Sequence, residues 1–540
     1  MPSHTAAFQP DEPAPLATAS AAGARAALYD PMAVIDLGAY SARLQICQRE
    51  RGSGTLTYWD EIPRLLPLGR DVFRSGVISS ESMRQAAEVM RDFAQQMREM
   101  KVRYYHAVAT SAVRESLNRE VFIHRIQTGT GIQIEPLDGS TEVRLISLAV
   151  QRVLGPQRFR RLSQSALLLV LGAGSSQLAC YRDAHMQSAD TIRLGTLRLG
   201  DELGERLTRA ELEDVIDPFV AAILGGAARL WPGDNPRNLI AVGAPVRALM
   251  GLDGHPRRKA CDSLTRAQFR RLFERVERQQ VSMPRPQGSL TAATLQSIEP
   301  CCHILDHLFA VTGADRIWVP MVNTRDALVD DLYRTLESAA DPFVPDILTA
   351  AHALAARYCY DAAHGHAVAD FAARLFDGLA TLHHMPARDR VLLQVAAILH
   401  DIGCFVSGRQ HHKHSHYLIA NSELPGITSE EQETVALAAR YHRRSSPKLS
   451  HPEYAVLPPP RRVQVCQLAA LLRVADALDR GHRGRLRLRA VRVAGQRVAL
   501  CVGANLDFAV EQWGLKAKAG MFEEVYGYRV ELVAEDNGHG

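Results

Sequence analysis

Residues 166–181 read ALLLVLGAGSSQLACY, and residues 33–48 read AVIDLGAYSARLQICQ. Each is an apolar run of strand length, a glycine turn with small or hydroxylated neighbours, and a second strand-like run. Gly38 and Gly172 hold the same place in the two copies. A strand–turn–strand pattern that recurs in one chain implies an internally duplicated α/β unit with two related lobes. The intervening segments fit that reading. A helix is predicted over 79–100, with Val89, Met90, Phe93 and Met97 on one face, and a strand then carries Ala107 to Ser111. Further helices are predicted over Arg114–Gln127 and from Ser140 to Val153, and a strand over Asn238–Val242.

The pattern changes after Asp341–Pro345, where two prolines mark a boundary. Helices are predicted over 346–358, 361–382, 387–401, 414–421, 429–442 and 461–480. Thr428 and Glu431 have the spacing of a capping box. Beyond Gly481 the period becomes two, with Leu486, Leu488 and Ala490 alternating against Arg485, Arg487 and Arg489. With 497–503 and 525–535 this predicts a small β appendage. The three arginines read first as a solvated strand face and second as a track for phosphates.

Composition narrows the classes. The chain has 540 residues, 46% hydrophobic and 23% charged, as in ordinary globular proteins. Sixty-three basic residues against 59 acidic ones leave a net charge of +4, too mild to point to nucleic acid. No aromatic residues interleave the arginines, as they would in a nucleic-acid track. Nine dispersed cysteines without CxxC spacing suggest a reducing cytoplasm. No apolar run has the length of a membrane span. Residues 1–30, rich in Ala and Pro, read as a disordered tail.

Fourteen of the 21 histidines follow Pro345. The stretch 391–404, VLLQVAAILHDIGC, is a buried helix that ends in His400 and Asp401. A carboxylate placed there needs a cation or strong hydrogen bonds. His364 in HGHAVADF and Asp476 in LLRVADALDR lie on separate helices of the same domain. Each alone has a bland reading, and Asp476 could simply pair with Arg473 or Arg480. Together His364, His400, Asp401 and Asp476 look like four metal ligands, with His414 and His442 as outer groups.

These motifs resemble known families. HxxxVA, HD, HHKHS, RYHRR and RVADALDR are similar to the HD superfamily of metal-dependent phosphohydrolases over about 346–482. Their order resembles the C-terminal domain of the exopolyphosphatase/guanosine pentaphosphate phosphohydrolase (Ppx/GppA) family. AVIDLGAYSARLQI, VATSAVRESLN, LDGSTEVRLISLAV, VLGAGSSQL and IRLGTLRL resemble the first half of that family. The resemblance implies a duplicated actin-like fold of the sugar kinase/heat-shock ATPase type, with lobes at 31–152 and 153–340. It also implies an HD-like helical domain at 346–482 and the appendage at 483–540.

The implied activity is hydrolysis of terminal phosphoanhydride bonds of polyphosphate or guanosine pentaphosphate by a cytoplasmic homodimer. Glu142 would be the general base, Arg114 would bind phosphate, and Asp36 would hold a metal or water. Gly38, Ser41, Ser111, Gly172, Gly174, Ser175 and Ser176 would cradle phosphates. A divalent ion, Mg2+ or Mn2+, is implied, with Arg443 beside His414 and His442 around the HD site. The chain departs from the family's pattern at Val170 and Gln177, where acids are usual, and at Tyr40, which adds bulk. The cleft is therefore expected to be partly degenerate. Two alternatives follow: an HD-type phosphohydrolase whose N-terminal lobes only bind or sense, and a regulator that binds polyphosphate or a nucleotide without turnover.

Overall fold

A glycine turn heads each hairpin: Gly38 N–H donates to the Ser41 carbonyl at 2.9 Å and Gly172 N–H to that of Ser175 at 3.1 Å. The computed structural model describes residues 14–15, 28–51, 55–203, 209–227, 235–252, 260–278, 296–337, 340–443, 445–503 and 507–535, and of 14–15, 200–203 and 209–214 the backbone only. The chain forms two units, Met1–Pro342 and Phe343–Gly540.

In the first unit, β2 (Met32–Leu37), β3 (Ser41–Arg49) and β4 (Leu56–Leu65) make an antiparallel meander. On the other side of β2, β5 (Tyr104–Ala109) pairs in parallel, and β6 (Ile134–Pro136) pairs in parallel with β5. The second sheet repeats this order. There β7 (Ser165–Leu171), β8 (Ser176–Arg182) and β9 (His185–Ile192) form the meander, with β10 (Asn238–Val242) and β12 (Arg316–Pro320) in parallel succession beyond β7. A further strand, β11 (Cys261–Thr265), is added antiparallel at the edge.

The unit is thus a duplicated, actin-like pair of lobes. Each central strand, β2 or β7, is covered on both faces and reads as an almost unbroken apolar run. Most of the expected tail lies outside the described residues. Two of its members, Ala14–Pro15 (β1), pair with Tyr104 and Tyr105 and so lie on a sheet edge. Helices α1 (Gly139–Leu154) and α2 (Thr324–Leu336) carry Glu142 and Arg325. Asn323 and Asp326 form the capping box that starts α2.

The second unit is helical: α3 (Val344–Ala356), α4 (Ala362–Gly378), α5 (Ala387–Leu399), α6 (His411–Ala420), α7 (Ser429–Arg440) and α8 (Pro459–Ala477). Thr428 and Glu431 form the expected capping box at α7. Every residue of α5 from Val391 to Leu399 is buried except Gln394, as its composition requires. The appendage differs from expectation. Strands β13 (Leu488–Ala494), β14 (Arg497–Gly503) and β15 (Arg529–Glu535) make one sheet, but α9 (Ala509–Lys518) and α10 (Gly520–Tyr526) intervene and pack on α8. Arg485, Arg487 and Arg489 are exposed, alternating with buried Leu486 and Leu488. Among the described residues, no helix is long and apolar enough to cross a membrane.

The two turns tolerate a side chain unequally. A Cβ on Gly172 would come 2.7 Å from the Ser175 carbonyl oxygen, against 3.3 Å from that of Ser41 for Gly38. Gly172→Ala is therefore expected to destabilise by about 1–3 kcal/mol, as overpacking does, and Gly38→Ala by less. Calorimetric midpoints of the two variants check this. Equal midpoints would contradict it.

Candidate functional sites

The glycine turns after β2 and β7, and a third after β10, open into one cleft of 360 Å3 within the first unit. Gly243, in the third turn, has φ +152°, and a Cβ there would lie 2.3 Å from the Leu171 carbonyl oxygen. Of the expected residues, Asp36, Gly38, Ser41, Ser111, Glu142, Gly172 and Ser175 line the cleft, together with Arg43, Arg64, Arg247 and Arg325. Four guanidiniums against two carboxylates suit an anionic ligand.

Glu142 stands in the first turn of α1 and is buried. Burial pushes its carboxyl up to about 7; Arg114, whose Nη1 lies 3.8 Å away, opposes the rise and the charge of Asp36 adds to it. Gln177 Nε2 donates to Glu142 Oε2 at 2.9 Å. Arg114 also donates to the Leu137 carbonyl at 2.6 Å and to Ser175 Oγ at 3.3 Å, which ties Glu142 to the glycine turn of the other lobe.

Asp36 faces Arg43 across its hairpin. Arg325 Nη1 lies 3.6 Å from Asp36 Oδ2, while Nη2 reaches Glu61 at 2.9 Å. Burial raises the Asp36 pKa, against the pull of Arg325 and Arg43. The same cross-strand positions in the second lobe hold Val170 and Gln177. One lobe thus keeps a charged pair where its repeat holds a neutral one.

Two expected cradle residues do other work. The Ser176 hydroxyl is buried and donates to the Leu194 carbonyl. This corrects its assignment to phosphate, because its side chain is committed to the core. Gly174 supplies clearance: a Cβ there would come 2.3 Å from the Phe73 ring and 2.5 Å from Ser111 Oγ. Tyr40 lines the cleft, its ring close against Gly69.

The second unit gathers its imidazoles at the end of α5. His364, His400, His442 and Asp476 are at most 4% exposed. His364 Nδ1 meets Asp479 Oδ2 at 2.9 Å, His400 Nδ1 the Ala397 carbonyl at 2.7 Å and His442 Nδ1 the Ala439 carbonyl at 2.6 Å. Each acceptor takes the Nδ1 hydrogen and turns a bare Nε2 inward, the arrangement that second-shell partners impose on metal-binding histidines. The Nε2 atoms of His364 and His400 are buried without hydrogen-bond partners. His364 Nε2 is 3.8 Å from Asp476 Oδ1, and His400 Nε2 is 3.6 Å from Asp401 Oδ2. His364, His400 and Asp401 make one possible ligand group and His400, His442 and Asp476 another, donor sets that fit a divalent cation.

Burial opposes charge on Asp476, yet Lys518 first, then His400 and His442, holds its pKa down at about 2. Burial drops His442 to about 3, with His400 adding to the fall.

His414 is corrected by its helix. Gln410 enters α6 with φ +60°, and His411 is then the residue that faces Asp401 and His442. His414 belongs to none of the possible ligand groups among the described residues. The charge of Arg443 falls on His412 and Cys404.

Four further residues matter. Arg43 was legible from the register, seven positions after Asp36 in a tight hairpin. Asp479 lies one turn beyond Asp476. Arg325, inside a capping box, carried no signal. Lys518, on the unexpected helix α9, reaches Asp476 Oδ2 and pairs with it. Arg473 is turned away, donating to the Tyr441 and Ser445 carbonyls at 2.7 Å each.

Residues 48–215 match the model described as the Ppx/GppA phosphatase family, and residues 348–525 that of Ppx/GppA phosphatase, domain III. The chain is also similar to a solved Ppx/GppA family member from Aquifex aeolicus, at 19% identity over 58% of this chain and 99% of that one, with a TM-score of 0.46. An exopolyphosphatase from Cytophaga hutchinsonii gives 19%, 58%, 99% and 0.47.

Removing Lys518 strands a buried carboxylate. Lys518→Met is expected to cost the second unit about 3–5 kcal/mol, read as a lowered thermal midpoint in EDTA, and Lys518→Met/Asp476→Leu to regain most of it. An unchanged midpoint for the single variant would show that the pair carries no stability.

Proposed function

Because the chain belongs to the Ppx/GppA phosphatase family, we propose that it hydrolyses terminal phosphoanhydride bonds of inorganic polyphosphate, or of guanosine pentaphosphate, in the cleft of its first unit. The observation that carries this reading is Glu142, a buried carboxyl with its pKa pushed up to about 7. A general base works best when its pKa lies near the working pH. Gln177 holds Oε2, which leaves Oε1 to take a proton. The attacking water forms a bond to the terminal phosphorus and passes its proton to Glu142. The anhydride P–O bond breaks, and the shortened chain leaves with the electron pair.

Charge develops on phosphoryl oxygens during that step. Arg43, Arg247 and Arg325 line the space where they would lie, with the backbone of the glycine turns. Val170 and Gln177 leave the second lobe without a carboxylate at these positions, so turnover is expected to be slow. The enzyme is proposed to act in the cytoplasm as a homodimer.

A second reading rests on a specific observation. His364, His400, Asp401 and Asp476 keep an intact ligand set with fixed tautomers, which supports an HD-type phosphohydrolase in the second unit. A bound Mg2+ or Mn2+ would acidify a water and polarise a phosphoryl oxygen. His364, His400, Asp401 and Asp476 would hold it, and Asp479 would orient His364.

Phosphate release from polyphosphate separates the two. Glu142→Gln is expected to slow it by about 10²–10⁴-fold, while His400→Ala/Asp401→Ala leaves it within a few-fold of wild type. The opposite pattern assigns the chemistry to the second unit.

A further inference from the structure

Proteins hold Mg2+ through oxygen ligands, usually one or two carboxylates with water completing an octahedron. Among the described residues that line the cleft of the first unit, Asp36 and Glu142 are the only acids. Both are already engaged. Glu142 Oε2 accepts the hydrogen bond of Gln177, with Arg114 Nη1 3.8 Å away. Asp36 faces Arg43 across its hairpin and has Arg325 Nη1 3.6 Å from Oδ2. The matching register pair of the second lobe, Val170 with Gln177, adds no acid.

Arg325 stands where a cation would. The capping box of Asn323 and Asp326 starts α2, which packs against β2 and carries the arginine as its second residue. Nη2 reaches Glu61 Oε1 at 2.9 Å, and Arg43 Nη1 lies 3.4 Å from the same oxygen. Asp36, Arg325, Glu61 and Arg43 therefore form a chain of alternating sign. A Mg2+ bound about 2.1 Å from Asp36 Oδ2 would lie within about 6 Å of the Arg325 guanidinium, and like charges repel more strongly there than in water. The donor set does not fit a divalent ion. Asp36, which the family resemblance would give a metal or a water, has a guanidinium instead.

That guanidinium is incompletely satisfied. Arg325 is 5% exposed, its Nε is buried without a hydrogen-bond partner, and its Nη1 lies beyond hydrogen-bond reach of Asp36. Buried donors left over are costly unless an acceptor meets them. Phosphate oxygens match the planar fork of an arginine, and Arg325 lines the cleft where they would lie.

We propose that the cleft takes polyphosphate as the metal-free anion, with the guanidiniums of Arg325 and Arg43 neutralising the phosphate oxygens that a divalent ion would otherwise bind. The inference rests on the proposed function and names the ionic form of its substrate. Mg2+ on a polyphosphate chain covers the oxygens that the guanidiniums need, so it competes with the cleft and does not assist it.

Calorimetric titration of the full chain with a methylene-bridged tripolyphosphate, which resists hydrolysis, tests this in EDTA and in excess Mg2+. Wild type is expected to bind in EDTA and several-fold more weakly in Mg2+. Arg325→Gln is expected to lose about tenfold or more in EDTA. Arg325→Lys keeps the charge and the far-UV circular dichroism of wild type, and is expected to lose less. Gln177→Glu has the same shape as wild type but sets a second carboxylate against Glu142, and is expected to bind one Mg2+ more than wild type. Wild-type affinity in Mg2+ that equals or exceeds that in EDTA would overturn the inference while leaving the cleft as the polyphosphate site. Equal affinity of wild type and Arg325→Gln, or no added Mg2+ in Gln177→Glu, would overturn it too. No binding in either buffer would overturn the proposed function and this inference with it.

Discussion

A carboxylate removed from water has to be met by a cation, by hydrogen-bond donors or by a proton, and both units of this chain are arranged around carboxylates so removed. Glu142 is met by a proton at about neutral pH, by Gln177 and at longer range by Arg114. Asp476 is met by Lys518, and Asp401 by a ring of imidazoles. The remaining local structure follows: helix ends, glycine turns and cross-strand registers are placed so that those partners arrive.

The duplicated lobes show how one fold gives two chemistries. Asp36 with Arg43 and Val170 with Gln177 occupy equivalent hairpin positions. In the first lobe the carboxylate pairs with the guanidinium of Arg325 and faces Arg43 across the hairpin. In the second the charges are gone, and Gln177 instead serves Glu142. An acid at 177 would set two carboxylates in contact, and such a pair cannot both ionise without a cation between them. Gln177 removes that demand and keeps the hydrogen bond.

Much of this was legible in the residues. The two hairpins announced duplicated lobes because a central strand buried on both faces must be apolar throughout. His364, His400, Asp401 and Asp476 could be grouped because buried histidines and acids on separate helices ask for a common reason. What escaped depended on tertiary geometry. His411 rather than His414 faces Asp401; the two lie one turn apart on the same face, and HHKHSH does not tell them apart locally. Lys518 was hidden in 509–518, where no sharp apolar period marks a helix. Ser176 looked like a phosphate ligand by position, but its hydroxyl had a nearer acceptor in the core.

Glu142, buried and with its pKa raised to about 7, is the proposed base of the cleft. The pH dependence of kcat/KM for phosphate release from polyphosphate tests it most directly. An acid with its pKa raised to about 7 gives up its proton over a range centred there, so activity should climb with pH through a limb centred near 7 and level off beyond it. A limb centred near 4.5, the ordinary value for a glutamate, or a profile unaltered by Glu142→Gln, would contradict the account.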